Sequence, residues 1–161
     1  VNCGIYDLII NAGIAGSFNA DFKPGDVVNI SSDSFADIVI NGDKDAKPVF
    51  ETIYNENFRN LINNGRIYNT SDFPALFRNL PKATAITVNI PERILNCNFD
   101  TESMEGAAFM LVCKHFKKNF IQIRGISNII GKTERKDWNF KDTINNYSRI
   151  ISEFITLTNK R

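Results

Sequence analysis

A chain of 161 residues, 43% hydrophobic and 23% charged, can bury one substantial core and has the balance of a single soluble globular domain over residues 1–161. Its net charge of +1 excludes a general nucleic-acid binder, which needs a basic surface, and no apolar run approaches the ~20 residues of a bilayer span. Cys3, Cys97 and Cys113 are odd in number and lack metal spacing, which points to reduced thiols in a cytoplasm, and the single His115 excludes a multi-histidine metal site. The chain opens on Val1 within what reads as folded sequence, with no leader, cap or initiator methionine, which points to a truncated polypeptide. Residues 6–13, YDLIINAG, predict a buried strand closed by a glycine turn. Residues 25–31, GDVVNIS, predict a second strand entered through Lys23, Pro24 and Gly25, and residues 33–40 a third. Residues 41–55 are polar and irregular and read as a loop. Residues 55–65 read as a short helix ended by Gly65, residues 71–80 as a helical turn, and residues 83–89, ATAITVN, as a strand. From Met104 to Phe116, the residues Met104, Ala107, Ala108, Leu111, Val112 and Phe116 recur at helical spacing. A buried strand follows over residues 119–128. A last helix over 140–158 places Phe140, Ile144, Tyr147, Ile151, Phe154 and Ile155 on one face, with Asn139 as its N-cap. Strands alternating with helices in the second half favour an α/β domain, with helices covering a mostly parallel sheet.

Three clusters carry chemistry. In NAGIAGSF, residues 11–18, small residues after a strand admit a ligand close to the backbone, whose amides can hold an anion or a sugar oxygen. The plain alternative is a tight turn against a helix. In DTESMEGAAF, residues 100–109, Glu105 opens an apolar helix where the dipole favours a carboxylate, and small residues beside it leave room for two vicinal hydroxyls. The plain alternative makes Glu102 and Glu105 first-turn residues of that helix. In FIQIRGISNIIG, residues 120–131, Arg124 and Asn128 stand in a run that reads as core. A buried guanidinium needs acceptors and a buried amide most of its hydrogen bonds. Neither the neighbours of Arg124 in sequence nor the strand pattern supplies them, so either the fold or a ligand does. Asn128 also fits a residue that caps the strand end, the place where open α/β sheets bind ligands.

In this order and spacing the clusters resemble the nucleoside phosphorylase and nucleosidase superfamily, and within it futalosine hydrolase, an enzyme family of an alternative menaquinone pathway. The matching pieces are NAGIAGSF, KPGDVV, ITVN, ESMEGAAF, IRGISN and the tryptophan of RKDW, which together span nearly the whole chain. The resemblance implies a three-layer sandwich, a central mixed and mostly parallel sheet flanked by helices, with N-terminal strands missing from this chain. It implies that Ala15 and Gly16 line the sugar and base site, that Met104 packs under the ribose and that Glu105 binds its hydroxyls. Arg124 would stand near the attacking water or phosphate, Asn128 at the imidazole side of the purine, and Trp138 over the 5′ substituent. Arg124 and Asn128 would then be unsatisfied by the fold because the ligand completes them. Nucleosidases of 6-aminopurines usually carry aspartate at the position of Asn128. An amide donates to N7 or to a 6-oxo group but supplies no acid proton, so hydrogen-bond matching favours hypoxanthine, the base of futalosine. Lys132, Arg135 and Lys136 could meet the benzoate of that substrate, and a solvated basic loop is the favoured alternative.

Two departures stand beside these matches. The family's first strand and helix, which carry the glutamate that activates water, have no counterpart here. The connection before ESMEGAAF is also short, so Ile90 and Pro91 receive no role. The resulting expectation is a cofactor-free, metal-free nucleosidase releasing hypoxanthine from futalosine. Its rivals are a phosphate-dependent purine nucleoside phosphorylase, a 5′-methylthioadenosine/S-adenosylhomocysteine nucleosidase-like enzyme, and a nucleoside-binding remnant without catalysis. A homo-oligomer is implied, with residues 41–55 or the aromatic residues near Phe35 at the contact.

Overall fold

The computed structural model describes residues 6–37, 39–40, 47–48, 56–91, 94 and 97–158. In chain order these form β1 (Ile9–Ser17), β2 (Val27–Phe35), β3 (Val39–Ile40), β4 (Lys47–Pro48), α1 (Glu56–Arg59), β5 (Ile67–Tyr68), α2 (Ala75–Arg78) and β6 (Lys82–Thr87). Then come β7 (Thr101–Ser103), α3 (Gly106–His115), β8 (Phe120–Ile129), a 3-10 turn (Arg135–Asp137) and α4 (Phe140–Thr158).

The main sheet runs β5-β2-β6-β7-β1-β8 and is mixed. Its longest ladders, β1 with β8 and β2 with β6, are parallel, whereas β1–β7, β2–β5 and β2–β8 are antiparallel. Because β2, next to the edge strand β5, also pairs with β8 at the other edge, through Val27, Val28 and Asn29, the sheet curls back on itself. On the side away from β8, β1 pairs only through Gly16 and Ser17, so among the described residues Ile9 to Ala15 carry no neighbouring strand on that edge.

Two apolar clusters flank the sheet. One joins α3 to Val28, Ile30, Ala83, Ala85, Phe120 and Ile126, with Phe35 packed against it and Phe58 and Leu61 from α1 and its following turn. The other sets Phe77 of α2 and Tyr147, Ile151 and Phe154 of α4 against Ile121 and Ile123. Successive β8 residues alternate between the two, as the period of a strand requires. Both faces are covered, which explains the unbroken apolar run of β8 in the sequence.

Several elements differ from expectation. Residues 33–35 continue β2, and only Val39 and Ile40 form a further strand, paired with β4. The segment read as a loop holds β4 at Lys47–Pro48, and the rest of residues 41–55, like Cys3, lies outside the described residues. α3 begins at Gly106, and its buried face is Gly106, Ala107, Met110, Leu111 and Cys113. Ala108, Val112 and Phe116, together with Met104 ahead of the helix, are exposed instead. The helix has the expected spacing but a rotated face, because Gly106 rather than a large residue makes the closest approach to the sheet. In α4, Phe140, Ile144 and Ile155 are likewise exposed, and Thr143 is buried in their place. Asn139 caps α4 as expected: its Oδ1 accepts from Asp142 N at 3.3 Å.

Candidate active site

A cavity of about 420 Å³ opens at the C-terminal ends of β1 and β8. Gly13 to Gly16 of β1 form its floor, Ser127 and Asn128 of β8 one wall, and Ser103, Met104 and Glu105 another. Trp138 and, from α4, Ile144 and Tyr147 close it. Six of the seven residues expected at the site (Ala15, Gly16, Met104, Glu105, Asn128 and Trp138) therefore surround one space.

The β1–β8 ladder is in register up to Ala15 opposite Ile126, then shifts so that Gly16 faces Asn128. Ser127 is the extra residue of a β-bulge. A bulge breaks the alternation of side chains, which is why the consecutive residues Ser127 and Asn128 both line the cavity. Ser127 Oγ lies 2.8 Å from Asn128 Oδ1 and 3.2 Å from Ala15 O. Donating its single proton to Asn128 over the shorter distance fixes the amide with its oxygen toward Ser127. A Cβ on Gly16 would overlap Ile130 Cγ1 at 2.8 Å and press on Asn128 Nδ2 at 3.2 Å, so glycine leaves both side chains where they stand.

Glu105 is the N-cap residue of α3, exposed, and its side chain makes no capping bond. The carboxylate is left for the cavity at the positive end of the helix. Met104 beside it is 48% exposed, enough of a surface to pack under a ligand. Glu102 is not a first-turn residue: it lies buried in β7, opposite Gly16. Trp138 is half-buried, donates from Nε1 to Thr133 O at 3.4 Å and tilts against Phe140 at 5.6 Å.

Arg124 stands apart from these residues. It is fully buried and does not line the cavity, and Gly13 separates it from that space: a Cβ there would touch Nη1 at 3.5 Å. The fold supplies much of what the sequence did not promise. Nη1 donates to Asn11 Oδ1 at 3.1 Å and to Ile123 O at 3.1 Å, the latter a neighbour in sequence. Nε has no partner. Burial lowers the pKa of Arg124, opposed by the negative charges of Asp33 and Glu105. The expectation that the fold leaves Arg124 unsatisfied therefore fails at Nη1, which the protein itself engages, and holds at Nε.

The basic loop behaves as a solvated one. Lys136 pairs with Glu134 at 2.8 Å with both side chains mostly exposed, and Arg135 lies 6.0 Å over the Trp138 ring. Neither they nor Lys132 line the cavity, whereas Pro91 does. Sequence reasoning also passed over Ser127, Ser103 and Tyr147, whose presence at the site comes from the bulge, from β7 and from the angle of α4. Among the described residues no group of acidic, cysteine and histidine side chains could hold a metal ion. No helix among them is long and apolar enough to cross a membrane.

The curled mixed sheet thus carries a glycine-floored cavity at its strand ends, edged by Met104 and Glu105 at a helix start. The chain belongs to the phosphorylase superfamily, whose profile matches residues 4–158. The 5′-methylthioadenosine/S-adenosylhomocysteine nucleosidase from Helicobacter pylori superposes with a TM-score of 0.67 at 16% identity, over 93% of this chain and 68% of that one. A structure described as an MTA/SAH nucleosidase gives 0.58 at 27% identity, over 96% and 60%. The MTAN of Chlamydia trachomatis gives 0.62 at 18% identity, over 96% and 66%. The chain spans about two thirds of the length of these structures. No curated protein sequence matches it.

Proposed function

We propose that this chain carries the nucleoside site of a nucleosidase that hydrolyses the N-glycosidic bond of a 6-oxopurine nucleoside, with futalosine, the substrate of the family its motifs resemble, as the candidate. The orientation of Asn128 carries this reading. With Oδ1 engaged by Ser127, the amide turns its N–H groups toward N7 and the 6-oxo group, both acceptors. Water adds to the anomeric carbon as the electron pair of the breaking C–N bond passes to the base; the sugar keeps the hydroxyl, and the base takes up the proton the water gives up and leaves as hypoxanthine. Asn128 stabilises charge on the leaving base, and Glu105 holds the ribose hydroxyls through the oxocarbenium-like state. Met104 packs under the sugar and Trp138 over its 5′ end. Arg124 acts from behind Gly13, where its charge reaches Glu105. No cofactor enters this scheme.

A second reading has its own support. The structure sharing 27% identity is described as an MTA/SAH nucleosidase, which would make the base a 6-aminopurine. That base presents a donor where hypoxanthine presents an acceptor.

Base release from futalosine, inosine and 5′-methylthioadenosine, each with and without phosphate, separates the readings. Phosphate-independent hypoxanthine release supports the proposal, and adenine release favours the second reading. Release only with phosphate makes the protein a phosphorylase. No release from a folded chain that binds nucleoside leaves a binding protein.

We also infer a homo-oligomer. The exposed row of Met104, Ala108, Val112 and Phe116 beside the cavity supports it, and a monomer by light scattering at micromolar concentration would count against it.

A further inference from the structure

Beneath the sugar edge of the cavity lies a buried polar chain that the nucleoside reading does not use. Asp33 of β2 is fully buried, yet donors face it on three sides. Gln122 Nε2 of β8 donates to Oδ2 at 2.8 Å, Thr87 Oγ1 of β6 to Oδ1 at 2.9 Å, and Ser34 N to Oδ1 at 2.8 Å. A side chain surrounded by donors is held as an acceptor, so the carboxylate fits this setting. Thr87 has one proton and gives it to Asp33. Its lone pair is left to accept from Ala107 N at 2.7 Å, an amide of the first turn of α3 that has no acceptor within the helix. Glu105 is only two residues before Ala107. Gly106, between them, lies so close that a Cβ would overlap Asp33 Oδ2 and Gln122 Nε2.

We propose that Asp33 is a positioning residue for the sugar-binding edge of the cavity, holding the first turn of α3 through Thr87 so that Glu105 and Met104 meet the ribose. This rests on the nucleoside reading above. Asp33 itself does not line the cavity. Protonation would reverse the polarity of the chain. The new acid proton finds an acceptor only if Thr87 turns its own proton away, or if the Gln122 amide turns to offer Oε1, a buried atom with no partner in the present arrangement. Burial pushes the pKa of Asp33 up to about 6, against the hydrogen bonds from Gln122 and Thr87 and the charge of Arg124 on β8. From β6 and α3 it is faced by the Thr87 hydroxyl and the backbone of Gly106.

Trp138, the sole tryptophan, lines the cavity, so its fluorescence can report binding to the full chain on rapid mixing, before turnover. Inosine and hypoxanthine are the probes, since only inosine carries the ribose. Asp33→Asn and Thr87→Val should each weaken inosine roughly tenfold or more while changing hypoxanthine by less than about twofold, and Thr87→Ser should restore inosine binding. In the unsubstituted chain, which needs no variant to fold, the inosine-to-hypoxanthine affinity ratio should fall roughly tenfold between about pH 7.5 and about pH 5. Inosine binding that is tight and unmoved by the substitutions and by pH would overturn the positioning role alone. So would equal losses for both probes. No inosine binding by the unsubstituted chain would overturn the nucleoside reading and this proposal with it.

Discussion

Asn128 and Glu105, to which the proposed function gives the base and the ribose, differ in how openly the sequence announces them. Glu105 follows a methionine and precedes Gly-Ala-Ala at a helix start, a pattern legible from spacing, and the fold sets it at the edge of the cavity. Asn128 is legible as a misfit in an apolar strand. Its orientation is not, because it depends on Ser127 and on a bulge that no sequence periodicity reveals. Asn128→Asp replaces the donating amide by an acceptor that can be protonated. It should lower kcat/KM for the 6-oxopurine nucleoside by roughly ten- to a hundredfold and narrow the gap to 5′-methylthioadenosine, checked by base release from both. Glu105→Gln retains shape but loses charge-assisted bonds to two hydroxyls. A loss of about 1.5–3 kcal/mol, or roughly ten- to a hundredfold in kcat/KM for inosine, is the expected outcome, with hypoxanthine affinity unchanged.

At the scale of elements, β8 joins the two cores to the site. Ile121 and Ile123 face α4 while Gln122 and Arg124 share the opposite side with Asp33 and Asn11. Phe77 of α2 is completely buried against this strand and meets Phe154 of α4 edge-on at 5.0 Å. Phe77→Ala should cost about 3–5 kcal/mol of unfolding free energy in urea titrations, since the void it leaves lies between a sheet and two helices that cannot all relax into it. Its effect on inosine affinity in the protein that remains folded should be small, because no α2 residue lines the cavity at the ends of β1 and β8. Gly106→Ala should do the reverse of that partition and weaken inosine binding more than hypoxanthine binding. A methyl there must displace Asp33 or Gln122, or lift the first turn of α3. The sequence shows that a helix follows Glu105. It does not show which face packs, since the deciding contact is made by a residue with no side chain.

For the molecule as a whole, Asp33 and Asp100 set opposite pH dependences. Burial raises Asp33 from 3.8 to about 6, so the folded chain binds that proton more tightly than the unfolded chain. Its contribution to stability is complete below pH 3.8 and is lost as pH rises through about 6. Linkage puts that loss at about 3 kcal/mol. Asp100 is pushed up by burial, but hydrogen bonds from Thr84 and Asn19 outweigh this and lower its pKa. Its contribution is therefore present above the unfolded value and lost on acidification. Asp33→Asn removes only the first effect. Between about pH 4 and about pH 7 the unfolding free energy of the variant should shift in its favour, relative to the unsubstituted chain, by about 2–3 kcal/mol, as read from urea titrations at each pH. A gap that stays constant with pH would show that Asp33 does not titrate in this range.

Local sequence is enough to place β1, β6, α3, β8 and α4, and to single out residues 11–18, Glu105 and Asn128, whereas Met104 and Trp138 are marked only by the family resemblance. Periodicity, glycine turns and a cap are properties read within a few residues. The curl that pairs β2 with β8, the bulge of Ser127 beside Asn128, the grip of Asn11 on Arg124 behind Gly13 and the bracing of the Glu105 helix by Asp33 through Thr87 arise only when the chain is folded. Each of these joins residues far apart in the chain through hydrogen bonds and close backbone approach, and no local pattern encodes such partners.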